Sequence, residues 1–88
     1  MEIDNSPFDE RTLYTLVGAD GERTTITIDK LTADVLPDVH VWVQATFDRV
    51  FAKRPHASRR EQGNLVRALA NAEAQKHPQY RSLLDDLL

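Results

Sequence analysis

Two stretches near the start of the chain alternate apolar and polar residues with a period of two, Thr12-Leu-Tyr-Thr-Leu-Val17 and Arg23-Thr-Thr-Ile-Thr-Ile28. Their β-branched and aromatic content predicts strands, and the Asp20-Gly21 pair between them predicts a tight turn, so the two stretches form a β-hairpin. With Asp20 and Gly21 as the central turn residues, Val17 faces Thr24, Thr15 faces Ile26 and Leu13 faces Ile28. That register collects most of the apolar side chains on one face and leaves Tyr14, Leu16, Thr25 and Thr27 on the other. A two-stranded ribbon is marginal in water, so its apolar face must pack on helices or its edge must pair with another chain.

From Asp34 the period changes to three and four: Val35, Leu36, Val39, Trp42, Val43, Thr46, Phe47 and Val50 fall within one broad sector of a helix, with Val41 and Phe51 outside it. Pro37 suits only a first turn, which makes Asp34 the N-cap, and Pro55 stops the helix at its C-terminal end. Ser58-Arg59-Arg60-Glu61 has the spacing of a capping box, so a second helix starts there. Its inner face is read as Leu65, Val66, Ala68, Leu69 and Ala72, with Gly63 as a weak point in the first turns. His77-Pro78 closes it, and 79–88 is a short amphipathic helix with Tyr80, Leu83, Leu84, Leu87 and Leu88 as its apolar residues. The expected architecture is α+β: an N-terminal β-hairpin followed by a long central helix, a second helix and a short C-terminal helix. These fill a single small domain, 12–88, behind a polar tail at 1–11 that carries Ser6-Pro7 and the anchors Ile3 and Phe8.

Composition narrows this picture. With 88 residues, 41% hydrophobic, 28% charged, three Gly and four Pro, the chain is neither disordered nor collagenous, and it is long enough for one core only. The absence of Cys excludes a disulfide framework and thiolate metal ligands. The acidic opening Met1-Glu2-Ile3-Asp4-Asn5 is unlike a secretory or transit leader, and no apolar run approaches the roughly 18 residues of a membrane span. A cytoplasmic protein with no membrane partner is expected. A fold this small often completes its core with a second copy, so a homodimer is expected too.

Charge is unevenly placed around a net of −3. Residues 1–48 carry three basic and ten acidic side chains, residues 49–67 six and one, and residues 68–88 two and three. The middle segment holds Arg49, Lys53, Arg54, Arg59, Arg60 and Arg67, and an anionic partner would be met there. Arg59 and Arg60 stand in the first turn of a helix, where the macrodipole disfavours cations, and a phosphate held between them and Lys53 and Arg54 would relieve that repulsion. The competing reading has Glu61, Asp48 and the acidic N-terminal residues neutralising these arginines within the fold.

Catalytic chemistry is thinly represented. Ser6, Ser58 and Ser82 lie in no Gly-x-Ser-x-Gly elbow, and Gly18 and Gly21 are turn glycines outside any phosphate-binding loop pattern. His40, His56 and His77 are separated by 16 and 21 residues, not by the three or four that set two imidazoles on one side of a metal. No enzyme, no cofactor and no metal site are expected. At the other end, Asp85-Asp86 among Leu84, Leu87 and Leu88 has the make-up of an acidic, leucine-bearing segment that docks in a partner's groove; the same leucines would also serve to cover the domain's own core.

Thr24-Thr-Ile-Thr-Ile-Asp29, then an amphipathic helix, a turn and a helix capped by Ser58, resembles the ribbon-helix-helix family of small bacterial, plasmid and phage DNA-binding proteins over about residues 23–75. In that family two chains pair one strand each into a ribbon that enters the major groove. The resemblance implies Thr25 and Thr27 as base-reading positions assisted by Arg23, Ile26 and Ile28 as core positions, and Ser58 with Arg59 as a phosphate clamp. The chain departs from the pattern in its longer span from Ile28 to Ser58, in Asp29, which repels phosphate, and in the hairpin partner at 12–17.

The expected function is that of a small DNA-binding protein, a transcription regulator or a plasmid or phage accessory protein, meeting duplex DNA through Arg23, Thr25, Thr27, Lys53, Arg54, Ser58, Arg59 and Arg60. The alternative is a protein-interaction module, such as an adaptor, an antitoxin-like or an inhibitor protein, binding an unknown protein partner through Leu84, Leu87 and Leu88 without nucleic acid.

Overall fold

A computed structural model describes residues 10–88 of the chain. The expected anchors Ile3 and Phe8 and the Ser6-Pro7 turn lie outside the described residues. Strands β1 (Arg11–Val17) and β2 (Arg23–Asp29) form an antiparallel hairpin, followed by helices α1 (Lys30–Val35), α2 (Val39–Lys53), α3 (Arg59–Ala74) and α4 (Pro78–Leu87). The fold is α+β, with the hairpin laid by one face on the helices.

The register of the hairpin differs by one residue from the expected one. Val17 pairs with Arg23, Tyr14 with Ile26 and Thr12 with Ile28. The loop holds five residues rather than four: the Gly18 N–H donates to the Glu22 carbonyl (2.9 Å), the Gly21 N–H to the Gly18 carbonyl (2.9 Å), and Asp20 Oδ1 accepts from the Glu22 N–H (3.1 Å). Gly21 sits at φ 83°, a left-handed conformation that glycine adopts without steric cost. At Gly18 a Cβ would lie 2.7 Å from Asp20 Oδ1, so a side chain there would push the Asp20 carboxylate out of its present position. A slip of one residue exchanges the faces of β1. Tyr14 and Leu16 are therefore buried with Ile26 and Ile28, while Leu13 and Val17 are exposed beside Thr15 and Thr25.

The helical region expected from Asp34 onward begins earlier and is split in two: α1 lies almost wholly ahead of Asp34, and α2 starts only after Pro37. Asp29 caps α1 by accepting from the Thr32 N–H (2.9 Å), and α1 ends at Leu36, extended at φ −79° and ψ 123° as the residue before a proline prefers. Pro37 thus lies between helices and not in a first turn, and the N-cap of α2 is Asp38 and not Asp34. Asp38 has φ 47° and makes no side-chain cap bond. Splitting the element lets Leu31, Val35 and Leu36 enter the core from one direction and Val43, Phe47 and Val50 from another. α2 ends before Pro55, as expected.

The face that α3 turns inward is also different. Gln62, Gly63, Val66, Ala70 and Ala74 are buried, whereas Leu65, Ala68, Leu69 and Ala72 are exposed; of the expected inner face only Val66 is buried. Small residues at 63, 70 and 74 allow α3 to approach the hairpin and α1 closely. A polar network then ties three helices: Asn71 Nδ2 donates to Tyr80 Oη (3.3 Å) and Thr32 Oγ1 (3.5 Å), and the Thr32 hydroxyl donates to Asp29 Oδ1 (2.9 Å). Helix α4 buries Tyr80 and packs Leu83 and Leu84 against the core. Beside β1, the Gln44 side chain of α2 bonds both backbone groups of Val17: Oε1 accepts from its N–H (3.1 Å) and Nε2 donates to its carbonyl (3.0 Å).

Candidate functional site

The cationic segment resolves into two populations. Arg59 belongs to the fold. Its guanidinium lies over the rings of Phe51 (5.2 Å) and Phe47 (5.7 Å), donates from Nη2 to Asp20 Oδ2 (2.8 Å) with Glu22 Oε2 at 3.5 Å, and donates from Nη1 to Gln62 Oε1 (3.0 Å). Gln62 is buried and completes its bonding by donating from Nε2 to the Arg54 carbonyl (2.9 Å), which accepts at the C-terminal end of α2. One arginine thereby fastens the hairpin loop, two aromatic rings and the α2 to α3 turn. Ser58 Oγ accepts from the Glu61 N–H (3.1 Å), capping α3. Both residues of the suggested phosphate clamp are thus engaged inside the fold, and the acidic partners of Arg59 are Asp20 and Glu22 rather than Glu61 or Asp48.

The second population is displayed. Arg49, Lys53, Arg54 and Arg60 are exposed and make no ion pair with a carboxylate among the described residues. Arg49, Lys53 and Arg54 form the wall of a groove between the C-terminal half of α2 and the middle of α3, with a volume of about 380 Å³. Its floor is Val50, Leu65, Ala68 and Leu69, and among the described residues no carboxylate lines it. The geometry is an apolar trough with a cationic rim, suited to an apolar ligand that carries negative charge along its flank.

Arg49, Leu65 and Leu69 were not singled out by sequence as site residues. A signal was there to find. α3 carries two apolar stripes at i,i+4 spacing, Val66/Ala70/Ala74 and Leu65/Leu69, and one neighbour cannot cover both.

The remaining predicted residues lie elsewhere. Arg23, Thr25 and Thr27 occupy the outer face of the hairpin, with Thr27 half-buried and its carbonyl accepting from Arg67 Nη1 (3.4 Å); none of the three lines the groove. Leu84 is half-buried against the core, whereas Leu87 is 50% and Leu88 fully exposed. Of the titratable groups, Tyr14 is pushed up from its ordinary range, chiefly by burial; the Thr12 hydrogen bond offsets this in part and the charge of Asp34 adds to it. Lys30 is also raised, by its hydrogen bond to Asp34 (2.8 Å) and that carboxylate's charge. Among the described residues no three His, Asp or Glu side chains are gathered where they could hold a metal ion, and no helix is long and apolar enough to cross a membrane.

Compared with known proteins, the chain matches no family model, no curated protein and no solved structure. Its function is therefore argued from the groove itself.

Proposed function

We propose that this chain is a protein-interaction module whose groove between α2 and α3 holds an acidic amphipathic helix. One observation carries the reading: an apolar floor of Val50, Leu65, Ala68 and Leu69 lies beside Arg49, Lys53 and Arg54, with no carboxylate in the lining among the described residues. Covering apolar surface is worth about 25 cal/mol per Å², a gain that leucines of a docked helix collect and a phosphate does not. The cations select the partner by charge and speed its approach.

Duplex DNA is the second reading. It is favoured by the four exposed cations Arg49, Lys53, Arg54 and Arg60, which have no carboxylate partner among the described residues. The readings separate on two sets of residues, because Leu65 and Leu69 line the groove and Arg60 does not. The test is fluorescence anisotropy with two labelled probes, a designed helical peptide of leucines and glutamates and a random duplex, each titrated at low and near-physiological salt. The peptide is expected to bind, to lose about tenfold in affinity in Leu65→Ser/Leu69→Ser, and to be indifferent to Arg60→Ala. A duplex that binds with a steep salt slope, weakens in Arg60→Ala and ignores the leucine changes replaces the protein-interaction reading with the DNA one.

A further inference from the structure

Seven large hydrophobic side chains are conspicuously exposed among the described residues: Leu13, Val17, Val41, Leu65, Leu69, Leu87 and Leu88. Two of them, Leu65 and Leu69, lie in the floor of the cationic groove, and two more, Leu87 and Leu88, end α4. From these we infer that the occupant of the groove is the α4 end of a second copy of this chain. The inference rests on the groove reading above and names its ligand.

The complementarity is of hydrophobicity and sign. Leu84 is packed against its own core, so the displayed apolar residues are Leu87, the last residue of α4, and Leu88 beyond it, directly preceded in sequence by Asp85 and Asp86. A ridge of Leu87 and Leu88 with two carboxylates beside it is the counterpart, in polarity and charge, of an apolar trough with a cationic rim. Leu87 and Leu88 would seat over Leu65 and Leu69, and Asp85 or Asp86 would meet Lys53 and Arg54. In its own chain α4 packs against α1, and none of its residues lines the groove, so each copy displays both the ridge and the trough. Both sets of charges are open to such a contact: among the described residues neither Asp85 nor Asp86, and none of Arg49, Lys53 and Arg54, makes an ion pair.

Sedimentation velocity over a range of protein concentrations tests this with the full chain and two charge reversals, Lys53→Glu/Arg54→Glu and Asp85→Lys/Asp86→Lys. All four positions are exposed, and circular dichroism checks that each variant retains the helical fold. The wild-type chain is expected to associate as concentration rises, and each reversal to weaken association about tenfold or more. An equimolar mixture of the two reversed chains is expected to recover it, because the acidic groove of one then meets the basic ridge of the other. A wild-type chain that stays monomeric throughout, association untouched by either reversal, or a mixture that fails to recover overturns the inference. The designed peptide keeps the two levels apart. If it binds at Leu65 and Leu69 while the chain remains monomeric, the groove reading stands and self-docking falls; if it does not bind either, both fall.

Discussion

Arg54 and Arg59 are five residues apart in the same cationic segment, and the fold puts them to opposite uses. Arg59 is drawn over Phe47 and Phe51 and shared among Asp20, Glu22 and Gln62. The Arg54 side chain rims an open groove, and only the Arg54 carbonyl takes part in the clamp, by accepting from Gln62. A charge count over 49–67 treats the two alike. The difference arises from what stands opposite each: a loop bearing two carboxylates reaches Arg59, and an apolar helix face lies beside Arg54. Within a cationic stretch, only the residues that the fold leaves unneutralised are free to meet an anion.

The contrast can be tested in order of effect. Gln62→Ala should be the most damaging, costing about 2 to 3 kcal/mol in urea unfolding, because it opens a small cavity, leaves the inner side of the Arg59 guanidinium without its partner and leaves the Arg54 carbonyl with the Ala57 N–H alone. Arg59→Ala should follow at about 2 kcal/mol. Most of that belongs to the aromatic contacts and the Gln62 bond; the bridge to Asp20 and Glu22 is a third or more exposed and contributes less than about 1 kcal/mol. Lys53→Ala and Arg60→Ala should stay within about 0.5 kcal/mol of the wild type. If all four variants lost equal stability, the division between anchored and displayed residues would collapse.

The smallest expected effect is a matter of pH. Tyr14 has its folded-state pKa raised, mainly by burial, so the neutral phenol favours the folded chain. Its contribution is fully present below the unfolded value near 10 and is lost as pH rises through the higher folded value. Lys30 is raised as well and acts in the same direction. Denaturant unfolding of Tyr14→Phe and wild type from pH 8 upward should show the wild type losing stability more steeply above about pH 10. Parallel curves would remove burial of the phenol as a source of alkaline sensitivity.

Much of the architecture was legible because it rests on local rules. The hairpin was announced by two alternating runs around Asp20-Gly21, and the start of α3 by Ser58 with Glu61 three residues on. What was misread depended on partners distant in sequence. The pairing of β1 turned on one extra loop residue, held by the Asp20 side chain, and that single step exchanged Leu13 and Val17 for Tyr14 and Leu16 in the core. α1 lies just ahead of the apolar run that starts at Val35 and continues across Pro37, and its own signal is the cap spacing of Asp29 and Thr32. On α3 the polar Gln62 looked like a surface residue and Leu65 like a core one. Both were reversed because Arg59 and the Arg54 carbonyl satisfy Gln62 in the interior. The groove went unseen for the same reason, since it is made of leucines already assigned to the core.

A two-stranded sheet consists of nothing but edges, and each unpaired N–H and C=O invites a foreign strand. Here that invitation is withdrawn by side chains. Gln44 answers both backbone groups of Val17 with its own amide, His40 Nε2 meets the Thr15 carbonyl at 3.3 Å, and Arg67 reaches the Thr27 carbonyl on the opposite edge. An incoming strand would have to displace these bonds before making its own, which guards these positions of the hairpin against cross-β stacking.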